Sequence, residues 1–315
     1  MNNPLGTLLE ETQVVINDGA MATELEKQGV NTNNALWSAM ALIDRPEAVI
    51  RVHRSYFDAG ANIATTNSYQ ANPDAFAKIG LTEAQSDQLI RQTVLLADAA
   101  RREYLAELAP KARFARERQL LIAGSVGPYG AFLADGSEYT GAYSLTDAAF
   151  RDFHWRRMAL LESTGADFFA FETMPNFAEI KALTGLLHDE FPDMTAWVAL
   201  SVGDDPTHLC DGTSIATVVD YLNQQAQVVA IGVNCTAMPN VTAAIRQIAT
   251  VTAKPIVVYP NNGDIYNPVD KSWRANPDAT TLADSVTEWQ KAGANIIGGC
   301  CRTTPADIKA LSERI

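Results

Sequence analysis

The chain has 315 residues, 47% of them hydrophobic and 19% charged, with 19 glycines and 14 prolines, which is a globular composition and neither a disordered nor a fibrous one. Its 24 Lys plus Arg against 37 Asp plus Glu give a net charge of −13, which repels phosphate backbones and anionic membrane surfaces, so neither nucleic acid nor membrane is an expected partner. No apolar run reaches the roughly 18 residues of a membrane span, Met1 to Glu11 lacks the pattern of a signal peptide, and four cysteines are too few for a disulfide scaffold; a cytoplasmic protein is expected.

In chain order, short β-branched and aromatic runs recur between helical stretches. They are Val14 to Asp18, Asn62 to Ser68, Leu120 to Val126, Asp167 to Thr173, Ala196 to Val202, Val228 to Asn234, Pro255 to Pro260 and Asn295 to Cys300. Each is a near-continuous apolar run, as a parallel strand buried on both faces requires. The intervening helices have legible ends. Asp44 reads as an N-cap before Pro46 in the first turn of a helix that runs through Val49, Val52, Tyr56 and Phe57 to Gly60, and other helices start at Asn176, Asn240 and Thr304-Pro305. Gly60, Gly165 and Gly293 each stand between a helix and a strand, where a left-handed residue closes the helix. The basic stretch Arg101 to Arg118 reads as a solvated helix with a frayed end.

Eight strands alternating with helices, and no Gly-rich dinucleotide fingerprint after the first, favour an α/β fold of the (β/α)8 TIM type in a single domain over residues 1–315. An open α/β sheet in two lobes is the alternative. The longer connections, Gly127 to Tyr143, Gly203 to Gly212 and Asn261 to Pro277, all follow strand C-termini, the end at which barrel enzymes carry their sites.

Chemistry concentrates at those same ends. Cys235 closes the sixth strand, and Cys300-Cys301 close the eighth. One strand would separate the two ends in a closed barrel, so three sulfurs can converge there. Adjacent strand residues point to opposite faces, so Cys300 and Cys301 share a site only if the strand breaks, and Gly298-Gly299 permits that. Three thiolates with one open position suit Zn2+ with an exchangeable ligand, although cysteine is also a common small core residue. Cys210, mid-loop, reads as incidental. His53, His154 and His188 read as core or surface residues and His208 as a solvated loop residue. Asp18 and Glu172 also end strands, and a carboxylate there needs a cation or several donors. Such a pair is compatible with glycoside hydrolysis, but that reading leaves the cysteines unexplained.

Six motifs together resemble the homocysteine S-methyltransferases: Asp18-Gly-Ala-Met-Ala-Thr-Glu24, Thr65-Thr-Asn-Ser-Tyr69, Gly124-Ser-Val-Gly-Pro128, Phe171-Glu-Thr173, Gly232-Val-Asn-Cys235 and Gly298-Gly-Cys-Cys301. They span nearly the whole chain. The resemblance implies zinc held by Cys235, Cys300 and Cys301, and a homocysteine ammonium engaged by Asp18 and Glu172. Gly19, Ala20 and Asn234 complete the expected substrate-binding set, with N–H groups near Gly19 and Ala20 for the carboxylate. Beyond a zinc-activated thiolate no catalytic side chain is required. Thr65 to Ala71 is similar to the branch that uses S-methylmethionine, with S-adenosylmethionine as a second donor and betaine as an alternative. Trp37 and Tyr69 are expected to face the sulfonium, since aromatic faces attract cations. The segment Gly127 to Tyr143 is expected to close over the donor. A non-catalytic zinc- or thiol-binding subunit of a larger methyl-transfer complex is the second class of reading. The expected partners are small molecules, homocysteine and a sulfonium donor.

Overall fold

The computed structural model describes residues 2–32, 34, 36–267, 272–276 and 279–315, with the backbone alone at 265–267, 272 and 273. The eight apolar runs form parallel strands β1 (Val15–Ile16), β2 (Ile63–Thr65), β3 (Leu121–Val126), β4 (Phe168–Met174), β5 (Ala196–Leu200), β6 (Val228–Asn234), β7 (Ile256–Tyr259) and, last in the barrel, β10 (Ala294–Ile297). Their order is β1-β10-β7-β6-β5-β4-β3-β2. Between the two ends of that order, a parallel bridge joins Asn17 to Ile63. The Asn62 N–H donates to the Ile16 carbonyl at 2.7 Å, and the Ile16 N–H donates to Asn62 Oδ1 at 3.0 Å. The fold is a single-domain (β/α)8 barrel. A hairpin that the apolar pattern did not signal, β8 (Ile265–Asn267) with β9 (Ser272–Arg274), lies in the connection after β7. Part of that connection, Pro277 included, lies outside the described residues.

Because strand side chains alternate, each strand divides its residues between two cores. Val15, Ile63, Leu121, Ala123, Phe168, Ala170, Trp197, Ala199, Ala230, Val257 and Ile296 pack together inside the barrel. Phe169, Phe171, Val198, Ile231, Val258 and Ile297 face the surrounding helices. Leu5 and Leu8 join the inner core from the helix Pro4–Glu11, which the sequence reading did not anticipate. Asn3 caps that helix by accepting from the Gly6 N–H at 2.8 Å, and burying each leucine contributes about 1.5–3 kcal/mol. The inner parity continues toward the C-terminal ends, where apolar residues give way to Ser125, Glu172, Asn234 and Tyr259. One alternation thus both fills the barrel and aims these groups at its mouth.

Gly60, Gly165 and Gly293 all have positive φ, as expected of helix-closing residues. Three helix boundaries differ from the sequence reading. Asp44 ends a short helix, Ala41–Asp44, and Arg45 precedes the next one, because Pro46 forces the residue before it out of helical geometry. The helix read from Asn240 starts at Met238, tolerating Pro239 in its first turn, and the Asn240 amide donates to the Gly203 carbonyl at 3.1 Å. The basic stretch is divided between helices Glu83–Glu107 and Pro110–Glu117, since Pro110 starts a new helix.

Candidate active site

Strand β7 lies between β6 and β10, and its C-terminal end ties both cysteine segments together. The Cys235 N–H donates to the Tyr259 carbonyl at 3.1 Å and the Cys300 N–H to the Pro260 carbonyl at 2.7 Å. From the next residues, Asn261 Nδ2 donates to the Cys235 carbonyl at 3.2 Å and the Asn262 N–H to the Cys301 carbonyl at 3.1 Å. The three sulfurs consequently lie within 4.8 Å of one another, with Cys235 and Cys301 Sγ 3.6 Å apart. Hydrogen bonds from Cys300 and Cys301 hold the Cys235 thiol well below its ordinary range, while Cys300 and Cys301 are pushed up by donating to it.

The eighth strand breaks before its cysteines, as convergence requires: β10 ends at Ile297. Gly298 and Gly299 serve there by lacking a Cβ. At Gly298 a Cβ would stand 2.7 Å from the Asn17 Cβ, and at Gly299 2.2 Å from Thr303 Oγ1. The left-handed residues are instead Cys235 (φ 51°) and Arg302 (φ 68°), non-glycine positions of a kind that concentrates at functional sites.

Asp18 and Glu172 are both buried, at 4% and 7% exposure, and neither has an ion-pair partner among the described residues. Asp18 Oδ2 accepts from the Thr65 N–H at 2.8 Å. Burial, reinforced by the nearby Glu172 charge, pushes the Asp18 carboxyl up to about 8. Glu172 accepts from the hydroxyls of Ser125 and Tyr259, yet burial still pushes it up to about 7. Tyr259 in turn accepts from Trp197 Nε1 at 3.2 Å. With no cation beside them among the described residues, the charged forms of these two carboxyls would be favoured by a positively charged group.

The loop after β1 is held against the cysteine turn by a pair of side chains that sequence reasoning missed. Thr303 Oγ1 donates to the Cys300 carbonyl at 2.6 Å and accepts from the Ala20 N–H at 3.2 Å. The Tyr56 hydroxyl lies 3.0 Å from the Ala20 carbonyl and 3.2 Å from that of Thr303. The Ala20 N–H is therefore already engaged, whereas the Gly19 N–H makes no hydrogen bond among the described residues. Asn234 lies at the mouth with its amide on Thr173, leaving one Nδ2 hydrogen for a further acceptor.

Tyr69 meets Trp37 edge to face with ring centroids 6.3 Å apart, and its hydroxyl hydrogen-bonds Thr173. Tyr139, from the segment Gly127 to Tyr143, brings its hydroxyl to 3.3 Å from Cys235 Sγ. Cys210 lies apart from the cluster, with its Sγ 3.5 Å from Ser201 Oγ. His53 and His154 are buried in helices, His188 is exposed, and His208 pairs with Asp205 in its loop. The parity along β3, β4 and β7 was the available signal for Ser125 and Tyr259; Thr303 and Tyr56 carried none.

Fold and site together define a barrel enzyme with a three-cysteine cluster able to hold a metal ion at the C-terminal ends of its strands. Residues 15–315 match the Homocysteine S-methyltransferase family. The chain is 50% identical to the homocysteine S-methyltransferase of Escherichia coli K12 over 314 residues, 99% of each protein. It is 42% identical to that of Bacillus subtilis (98% of this chain, 97% of the relative) and 39% identical to a selenocysteine Se-methyltransferase of Brassica oleracea (98% and 91%). A metallated form of the E. coli homocysteine methyltransferase superposes with a TM-score of 0.89 at 48% identity, covering 99% of this chain and 100% of the other. The chain belongs to the homocysteine S-methyltransferase family and is an enzyme of that activity.

Proposed function

We propose that the chain transfers a methyl group from S-methylmethionine, with S-adenosylmethionine as a second donor, to the thiol of L-homocysteine, and that Cys235, Cys300 and Cys301 hold zinc. The observation that carries the reading is the juxtaposition of two buried, cation-free carboxyls with three converging thiols. A ligand that satisfies both has an ammonium at one end and a sulfur at the other. Tetrahedral zinc with Zn–S bonds of about 2.3 Å places its sulfurs about 3.8 Å apart; the 3.6 Å between Cys235 and Cys301 fits that donor set. Bound zinc supplies Lewis acidity that makes a thiol ionise at neutral pH while staying nucleophilic.

The chain's own residues orient the substrate. Asp18 and Glu172 pair with the homocysteine ammonium, the Gly19 N–H, on the loop that Thr303 anchors at Ala20, receives its carboxylate, and the spare Nδ2 hydrogen of Asn234 meets an acceptor at the mouth. Thr303 keeps the Asp18 loop and the cysteine turn in register, so head group and sulfur are placed together. Trp37 and Tyr69 offer aromatic faces to the sulfonium. A carbon–sulfur bond forms between homocysteine and the methyl group as the donor S–CH3 bond breaks. The bonding pair stays on the departing neutral thioether, and the thiol proton goes to solvent. No general acid is needed at the leaving group, and holding the partners in line lowers the barrier by several kcal/mol. A reducing compartment such as the cytoplasm would keep three such close thiols free to hold a metal, and this supports reading the protein as cytoplasmic.

The test is a donor panel of S-methylmethionine, S-adenosylmethionine and betaine with homocysteine, on protein of measured metal content. Methionine formed from the sulfonium donors supports the reading. Formation from betaine alone would reassign the donor.

A further inference from the structure

Among the ionisable side chains buried away from the sulfurs and the site carboxyls, three form one hydrogen-bonded cluster. They are Glu179 (0% exposed), His154 (0%) and Arg157 (1%). Burying such groups is costly, and well-packed apolar residues would stabilise the helices at least as well. Their hydrogen bonds show what they hold. Glu179 Oε1 accepts from the Tyr129 N–H at 2.6 Å and from His154 Nε2 at 2.7 Å, and Oε2 accepts from the Tyr143 hydroxyl at 2.5 Å. Arg157 donates to the carbonyls of Tyr69 at 3.0 Å and Gly127 at 2.7 Å, and to His154 Nδ1 at 2.9 Å. Because arginine only donates, His154 Nδ1 must accept, so Nε2 carries the proton given to Glu179. Every bond in this core is thereby assigned a direction.

Four of these contacts fall on two loops at the mouth and not on the helices that carry the cluster. The loops are in close contact, since a Cβ at Gly127 would lie 2.5 Å from the Tyr69 carbonyl oxygen. One loop presents Tyr69, next to Trp37. The other is gripped at Gly127, Tyr129 and Tyr143, and between those points it carries Tyr139 to Cys235. We propose that Glu179, with His154 and Arg157, is the positioning centre of the methyl-donor side of the site, setting Tyr69 and Tyr139 over the sulfurs without touching either substrate. The proposal rests on the methyl-transfer reading above. It assigns the donor side to this cluster, and the homocysteine side to Asp18, Glu172 and Thr303.

The test uses the metal-loaded wild type with Glu179→Gln and Tyr143→Phe. Glutamine keeps an oxygen for Tyr129 and His154 and presents its amide to a tyrosine hydroxyl that can accept; Tyr143→Phe removes the hydroxyl that donates to Glu179 and buries no new polar group. Homocysteine affinity is measured by calorimetry without donor, and the S-methylmethionine KM at saturating homocysteine. Loss of an acceptor oxygen raises the donor KM about tenfold in Glu179→Gln, and loss of the hydroxyl that donates to it about threefold in Tyr143→Phe, with homocysteine Kd and metal content unchanged. If Glu179→Gln does not fold, Tyr143→Phe decides alone. An unchanged donor KM, or a homocysteine Kd that rises in step with it, overturns the inference while leaving the methyl-transfer reading standing. A metal-loaded wild type that transfers no methyl group from any sulfonium overturns that reading first, and the inference with it.

Discussion

Asn234 and Thr173 hold each other from strands β6 and β4, across the intervening β5. Asn234 Oδ1 accepts from the Thr173 N–H at 2.7 Å, and its Nδ2 donates to Thr173 Oγ1 at 2.9 Å. Thr173 has a φ of 54° and sits where the β4 register shifts between Phe171 and Met174. Its chain neighbour is Glu172, and the chain neighbour of Asn234 is Cys235, itself left-handed. One buried amide thus fixes a carboxyl and a thiol relative to each other.

Replacing that amide should disturb both. Asn234→Ala leaves the Thr173 N–H buried without an acceptor, a loss of about 1–3 kcal/mol. Thermal unfolding should register the loss, and metal affinity and homocysteine KM should both worsen. A variant with weakened homocysteine binding and full stability would make Asn234 a substrate contact alone.

The cysteine cluster predicts stoichiometric metal, one ion per chain. Cys235→Ser, Cys300→Ser and Cys301→Ser should each lose most metal and most activity, whereas Cys210→Ser, outside the cluster, should keep both. Elemental analysis checks this, and a Cys301→Ser protein with full zinc would remove that ligand from the set.

Glu172→Gln should retain metal and weaken homocysteine use. The change removes a charge-assisted contact worth about 1.5–3 kcal/mol, or roughly 10- to 150-fold in kcat/KM. Unchanged homocysteine kinetics would confine Glu172 to a structural role with Ser125 and Tyr259.

Asp18 near 8 and Glu172 near 7 give the site a definite pH response. Both stay protonated in the folded metal-free protein above the pH at which an unfolded carboxyl ionises. Unfolding therefore releases protons, and stability of the metal-free protein should fall as pH rises from about 4 to 8. Ammonium binding needs the ionised forms, so homocysteine affinity should move the opposite way and improve from pH 6 to pH 8. Thermal melts and a pH profile of kcat/KM for homocysteine test the two halves. A flat kcat/KM profile across that range would contradict the pairing.

The short apolar runs alone located eight strands, and the glycines standing between helix and strand located the three left-handed helix closures at Gly60, Gly165 and Gly293. These features are local: they depend on which side chains tolerate burial on both faces of a strand, and on which residue accepts a positive φ. The strand-end placement of Cys235, Cys300, Cys301, Asp18 and Glu172 was legible for the same reason. That the three sulfurs could converge followed from the expected strand order, but the means of convergence was not legible. It depends on closure of the sheet between Asn17 and Ile63, on the end of β7 bridging two cysteine segments, and on Thr303 joining loops 283 residues apart in sequence from Ala20. The buried Glu179, His154 and Arg157 left no periodic trace either, since a polar residue on a helix reads as solvated until a neighbouring helix covers it. Sequence determined which residues end each strand, because that is a property of consecutive side chains; tertiary structure decided which of those ends meet, because hydrogen bonds and burial between distant segments exist only once the barrel has closed.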